Sequence, residues 1–175
     1  KTGHHKLIGF ARRSQGLIVA KGNPLGLRSI DDVASKRARF VNRAIGTGTR
    51  VLFDELLAQA RVDPRSIDGY ASAEPSHAAV AQAVASGFAE AGLGIEPAAR
   101  ARGLDFVPLL QEDYYLVCMK DALDEPAVQA LRAFLRSPAW QERLRTLPGY
   151  EPMNSGEVLS LKDQLPWWSF KTGKS

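Results

Sequence analysis

The run Gly46-Thr47-Gly48-Thr49-Arg50 concentrates hydrogen-bond donors between two patterned segments. Ahead of it, Arg39 to Asn42 reads as a strand. Behind it, apolar residues at 52, 53, 56 and 57 follow a helical period from Gly48 to about Arg61. A strand, a turn and a helix start in that order offer free backbone amides and the positive end of the helix dipole, both of which favour an anion. The two glycines permit backbone geometry that a Cβ disfavours. Thr47 and Thr49 add hydroxyl donors, while Arg50 can supply charge or pair with a nearby carboxylate. A tight turn with a threonine cap and no ligand is the plainer alternative, and it stays open on this stretch alone.

A second loop-to-helix unit spans residues 72 to 87. Ser76 is a natural N-cap, His77 stands in the first turn, and Glu74 lies at the rim. Alanines at 78, 79, 81, 83 and 85 allow close packing on a sheet. Ser76 and the first amides of this helix can face the same ligand as the first unit, or simply cap and close a helix.

Catalytic and nucleotide readings fail on detail. A P-loop needs a lysine that the 46–50 turn lacks, and a dinucleotide fingerprint needs a third spaced glycine. The chain has 3 histidines and 1 cysteine, with no spacing that would hold a metal. There is no G-x-S-x-G elbow. The acidic pairs Asp31-Asp32 and Glu112-Asp113 fall at a helix start and a turn, where solvated charges are common. This equipment binds rather than converts, so no enzyme activity and no cofactor are expected.

The remaining pattern supplies elements to position these groups. Residues 7–11, 16–20, 89–95, 105–109 and 114–119 read as strands, and residues 67–70 lead to another short strand. Helices are expected from Ser29 as N-cap, over 97–102, and at 126–136 and 138–147, the last two opened by proline. Strands alternating with helices predict an α/β fold, a mixed and mostly parallel sheet with helices on both faces. Ligands in such folds sit at the carboxyl ends of strands beside helix starts. The tail with Leu165-Pro166-Trp167-Trp168 is expected to wrap on the body.

The 175 residues suffice for one good domain or two small lobes. A net charge of +4 with scattered basic residues argues against a nucleic-acid stripe, yet a mildly positive field favours an anionic ligand. Cys118 lies in an apolar run and reads as an inert buried thiol. No window spans a membrane and no leader pattern opens the chain, so a cytoplasmic location is expected, or a periplasmic one if a leader was removed.

Several segments together resemble a known family. "GLIVAKGNPLGLRSIDDVA", "RFVNRAIGTGTRVLFDELL", "SHAAVAQAVASGFAEAGLGIEPAA", "GLDFVPLLQEDYYLV" and "GYEPMNSGEVLSLKDQLPWW" are similar to the periplasmic-binding-protein-like domain linked to molybdate recognition, often fused behind a helix-turn-helix. The resemblance runs through roughly residues 6 to 168. It implies a type II binding-protein fold, with one lobe complete and the other partial. Residues 1–21 would end the first lobe and cross over, 22–103 would form the second lobe, 104–150 would return to the first, and 151–175 would extend it.

The resemblance also implies a ligand, molybdate or tungstate, and a set of binding residues. Thr47, Gly48, Thr49 and Arg50 match the family's Gly-Ser/Thr-Gly-Thr-Arg turn, and Ser76 and His77 match its Thr/Ser-His helix start. Tyr114, with Tyr115 one step away, matches a tyrosine after the return strand. A complete member carries a further first-lobe segment with a serine-bearing turn, which this stretch does not match. Apolar surface left bare in that way invites a homodimer. DNA would be reached only through a fused helix-turn-helix. Another anion, a small organic ligand, or an enzyme on the same scaffold with His77 as base are the alternatives.

Overall fold

The computed structural model describes residues 4–165, so Trp167 and Trp168 lie outside the described residues. The chain divides into two compact units, one of residues 14–111 and one of residues 1–13 with 112–175. Two long strands, β1 (His5–Val19) and β5 (Asp105–Met119), run from one unit into the other.

The 14–111 unit is built around β2 (Phe40–Arg43), which pairs in parallel with β3 (Ala73–Glu74) on one side and β4 (Ala91–Ile95) on the other. β4 then pairs antiparallel with β1, and β5 lies beyond β1, giving the order β3-β2-β4-β1-β5. Parallel pairing is thus concentrated on β2, while the pairings of β1 with β4, β6 and β7 are antiparallel.

Strand periodicity divides the core into two layers. Leu17, Val19, Phe40, Ala91 and Leu93 meet Leu27, Ile30 and Val33 with Phe53 and Leu57, on the side of α1 (Ile30–Ser35) and α2 (Gly48–Ala60). The intervening Ile18 and Val41 meet Val80, Ala81, Val84 and Ala99, on the side of α3 (His77–Ala85) and α4 (Glu96–Arg100). Phe40 and Phe53 stack with centroids 4.4 Å apart. The alanine-rich α3 sits so close that a Cβ on Gly92 would lie 2.4 Å from Val80 Cγ1. Helices therefore cover both faces of the sheet.

In the other unit, β6 (Tyr150–Glu151) and β7 (Val158–Leu159) pair with the first part of β1. Helices α5 (Pro126–Arg136), α6 (Pro138–Arg145) and α7 (Leu161–Gln164) complete it. Each of the first two has proline in its first turn, where no amide hydrogen is needed. Among the described residues no helix is long and apolar enough to cross a membrane.

Two local expectations are corrected. Residues 7–11 and 16–20 belong to one strand, and so do 105–109 and 114–119. The polar residues between them stay extended because they pair: Arg12 Nε donates to Asp113 Oδ1 at 2.6 Å, and Arg13 bonds Glu112 and Tyr150. Residues 67–70 form turns that lead, as expected, to the short strand β3. There Gly69, at φ +85°, brings its backbone against the Phe40 carbonyl, and the Asp68 carbonyl accepts the Phe40 amide at 2.8 Å. Finally, Cys118 is only partly buried.

Candidate functional site

The carboxyl end of β2 leads directly into the Gly46–Arg50 turn. Gly46 adopts φ +88°, the left-handed region that a side chain disfavours, and the turn closes as the Thr47 amide donates to the Ala44 carbonyl at 3.2 Å. Thr47 is the N-cap of α2: its Oγ1 donates to Ala44 O at 2.8 Å and accepts from the Arg50 amide at 3.3 Å. That leaves Gly48 and Thr49 as first-turn amides with no intrahelical acceptor. Gly48 is exposed, whereas Thr49 is buried.

The Arg50 side chain turns to another task. Its Nε lies 3.2 Å from both Asp54 oxygens, its guanidinium covers the Tyr70 ring at 4.3 Å, and Tyr70 donates its own hydroxyl to Asp54 at 2.8 Å. Burial opposes the charge, but contacts with Tyr70 and Asp54 more than offset it, and the pKa of Arg50 is raised. Of the two roles the sequence leaves open for Arg50, carboxylate pairing is the one realised.

The second helix start stands at the same end of the sheet. Ser76 caps α3, with Oγ accepting from the Ala79 amide at 3.1 Å. The His77 ring lies over Gly94 of β4, and a Cβ there would come within 3.2 Å of His77 Nδ1. α2 and α3 cover opposite faces, so the two starts flank the sheet edge from either side. The Ala44 amide donates to the Glu74 carbonyl at 3.1 Å, tying the two loops together.

Arg43, which sequence reasoning passed over, joins them through its side chain. It is the last residue of β2, it stands in register with Glu74, and its Nη2 donates to the Pro75 carbonyl at 3.0 Å, one residue before the α3 cap. Its Nε is buried without a hydrogen-bond partner among the described residues, and burial alone pulls its pKa down from the ordinary value. The detectable signal was a cation at the final position of an otherwise uncharged strand, at the edge where ligands bind. Gln15 was also passed over; it is 1% exposed and pairs with Ile95 at the same edge.

Tyr114 belongs to the other unit. It is exposed, packs edge-on to Phe10 at 5.6 Å and lies under the Arg13 guanidinium at 4.8 Å. Tyr115 instead donates its hydroxyl to Gln164 at 2.8 Å. Six of the seven expected residues, Thr47 to Arg50 with Ser76 and His77, thus fall at one sheet edge of the 14–111 unit, with Arg50's charge engaged.

This architecture, a mixed sheet covered on both faces with its candidate site at strand ends, is that of a type II binding-protein-like α/β fold. The profile of the PBP (periplasmic-binding-protein) superfamily domain matches residues 1–136, and the chain belongs to that superfamily. It is 37% identical over 153 residues to the uncharacterized protein YvgK of Bacillus subtilis (strain 168), a match covering 87% of this chain and 49% of that protein. The chain therefore spans about half the length of that relative. Among solved structures, PEB3 with bound L-phospholactate superimposes with a TM-score of 0.60 at 18% identity, covering 84% of this chain and 68% of that one. PEB3 comes from Campylobacter jejuni. The effector-binding domain of QuiR in complex with shikimate gives 0.58 at 19% identity, covering 75% and 64%.

Proposed function

We propose that this chain is the ligand-recognition part of a receptor that holds a small anion at the strand-end edge of residues 14–111 and releases it unchanged. One observation carries the reading: two capped helix starts share that edge with the Arg43 guanidinium, which has no ion pair among the described residues. Amides at helix starts and a partly buried cation without a carboxylate partner among the described residues both gain from an anion between them. Membership of the PBP superfamily supports a binding role.

Molybdate or tungstate is the ligand that the sequence resemblance implies, with the hydroxyls and amides of Thr47, Gly48, Thr49, Ser76 and His77 surrounding its oxygens. An organic acid is the second reading, favoured by Arg43; the PEB3 and QuiR structures contain such acids, L-phospholactate and shikimate. The same resemblance extends the proposal to a sensor working as a homodimer in the cytoplasm, with a helix-turn-helix elsewhere making any DNA contact. A transport receptor in the periplasm is its counterpart.

Calorimetric titration with molybdate, tungstate, sulfate, phosphate and shikimate tests the reading. Saturable binding of at least one anion at one site is expected. No heat from any of them, with the protein demonstrably folded, would reject it.

A further inference from the structure

The charge environment of Arg43 narrows the ligand class. Continuing the Val41–Gly92 register by two residues sets Arg43 level with Gly94, on the sheet face that α3 covers. The room that a Cβ on Gly94 would need is taken by Ile18 Cδ1 and His77 Nδ1, 2.7 and 3.2 Å from it, while Arg43 Nη2 reaches the Pro75 carbonyl. On the other flank, Glu74 is the register partner of Arg43. The two form no hydrogen bond or ion pair: Nη2 is given to Pro75, and Nε meets no acceptor.

A guanidinium in this condition has donors to spare, and its planar fork matches the two oxygens of a carboxylate. The neighbouring Glu74 carboxylate limits how much negative charge can be added beside it. One charge offsets the cation, whereas a second is placed near Glu74 without compensation. Neutral donors alone, as at the two helix starts, would not discriminate in this way.

On the anion reading above, we infer that Arg43 is the cationic anchor of the site, and that with Glu74 it selects a singly charged organic carboxylate over a doubly charged oxyanion. Arg43 also holds the Pro75 loop, so it fixes the α3 start relative to the α2 start.

The test is NMR titration of the chain with acetate, sulfate, molybdate and phosphate at constant ionic strength, following the Arg43 Nε–H signal and the Gly48 and Thr49 amides. Acetate is expected to shift all three saturably and to bind roughly tenfold tighter than sulfate or molybdate. Arg43→Gln should abolish the acetate response, Arg43→Lys should recover only part of it, and Glu74→Gln should raise sulfate affinity toward that of acetate. The wild-type Nε–H response needs no variant, so misfolding of Arg43→Gln leaves the test intact. Tighter binding of sulfate or molybdate than of acetate, or an unmoved Nε–H signal while the amides shift, would overturn the inference and leave the anion reading standing. If no anion moves Gly48 or Thr49, both fall together.

Discussion

Arg43 and Arg50 stand at the two ends of one turn and meet opposite fates. Arg50 is 8% exposed, and its charge is met by Asp54 beneath a Tyr70 ring stack. The Arg43 side chain, at the same sheet edge, has a buried Nε with no acceptor among the described residues and gives Nη2 to a carbonyl. Burying a charge is costly unless it is paired and hydrogen-bonded. A paired arginine can be read as part of the scaffold. An arginine left partly unmet at a strand end, between two helix starts, is placed to meet something that the chain does not itself supply.

The contrast can be broken at several points. The largest effect is expected for Phe53→Ala, which removes the ring stacked on Phe40 and tilted against Tyr70 at 6.3 Å, under the Arg50 cluster. Urea denaturation should show a loss of about 3–5 kcal/mol. Arg50→Gln should cost about 1–3 kcal/mol, because it strips Asp54 of its charged partner and Tyr70 of its cation, while leaving the anion response of the edge in place. Thr47→Ala should cost about 1 kcal/mol through the lost cap and should also weaken anion binding. Arg43→Gln should change stability least, by about 0.5–1 kcal/mol, since its side chain loses a single bond to a carbonyl and no ion pair among the described residues. A loss at Arg43 as large as that at Arg50 would erase the distinction between them.

A third arginine sharpens the comparison from the other unit. The Arg12 hydrogen bond and charge hold the Asp113 carboxyl below its ordinary pKa. A depressed folded-state pKa contributes stability that is fully present above the unfolded value, about 3.9 for aspartate. That contribution is lost as pH falls through the lower folded value. Acid titration of stability should therefore be shallower in Asp113→Asn than in wild type below about pH 4. Equal slopes would remove Arg12–Asp113 as a paired counterpart to Arg43.

Much of this site was legible because helix caps are local. Ser29, Thr47 and Ser76 announce themselves by residue type just before a helical period, and all three accept the expected amide. The long strands were harder to read. Arg12-Arg13 and Glu112-Asp113 look like breaks when taken one at a time, but each pair supplies the other's countercharge across β1 and β5. Complementarity between residues about a hundred positions apart leaves no local trace. Arg43 was missed for the same reason that makes it informative. A sequence shows that a cation is present, but not that its donors lack acceptors.

The central claim is that the strand-end edge of residues 14–111 receives an anion. Amide chemical-shift mapping during acetate, phosphate and molybdate titrations addresses it most directly. The account predicts saturable shifts clustered at Gly48, Thr49, His77 and Ala78, with Phe88 and Ala89 at the opposite end of the sheet unmoved. Shifts absent from the two helix starts, or spread evenly over the basic surface, would contradict it.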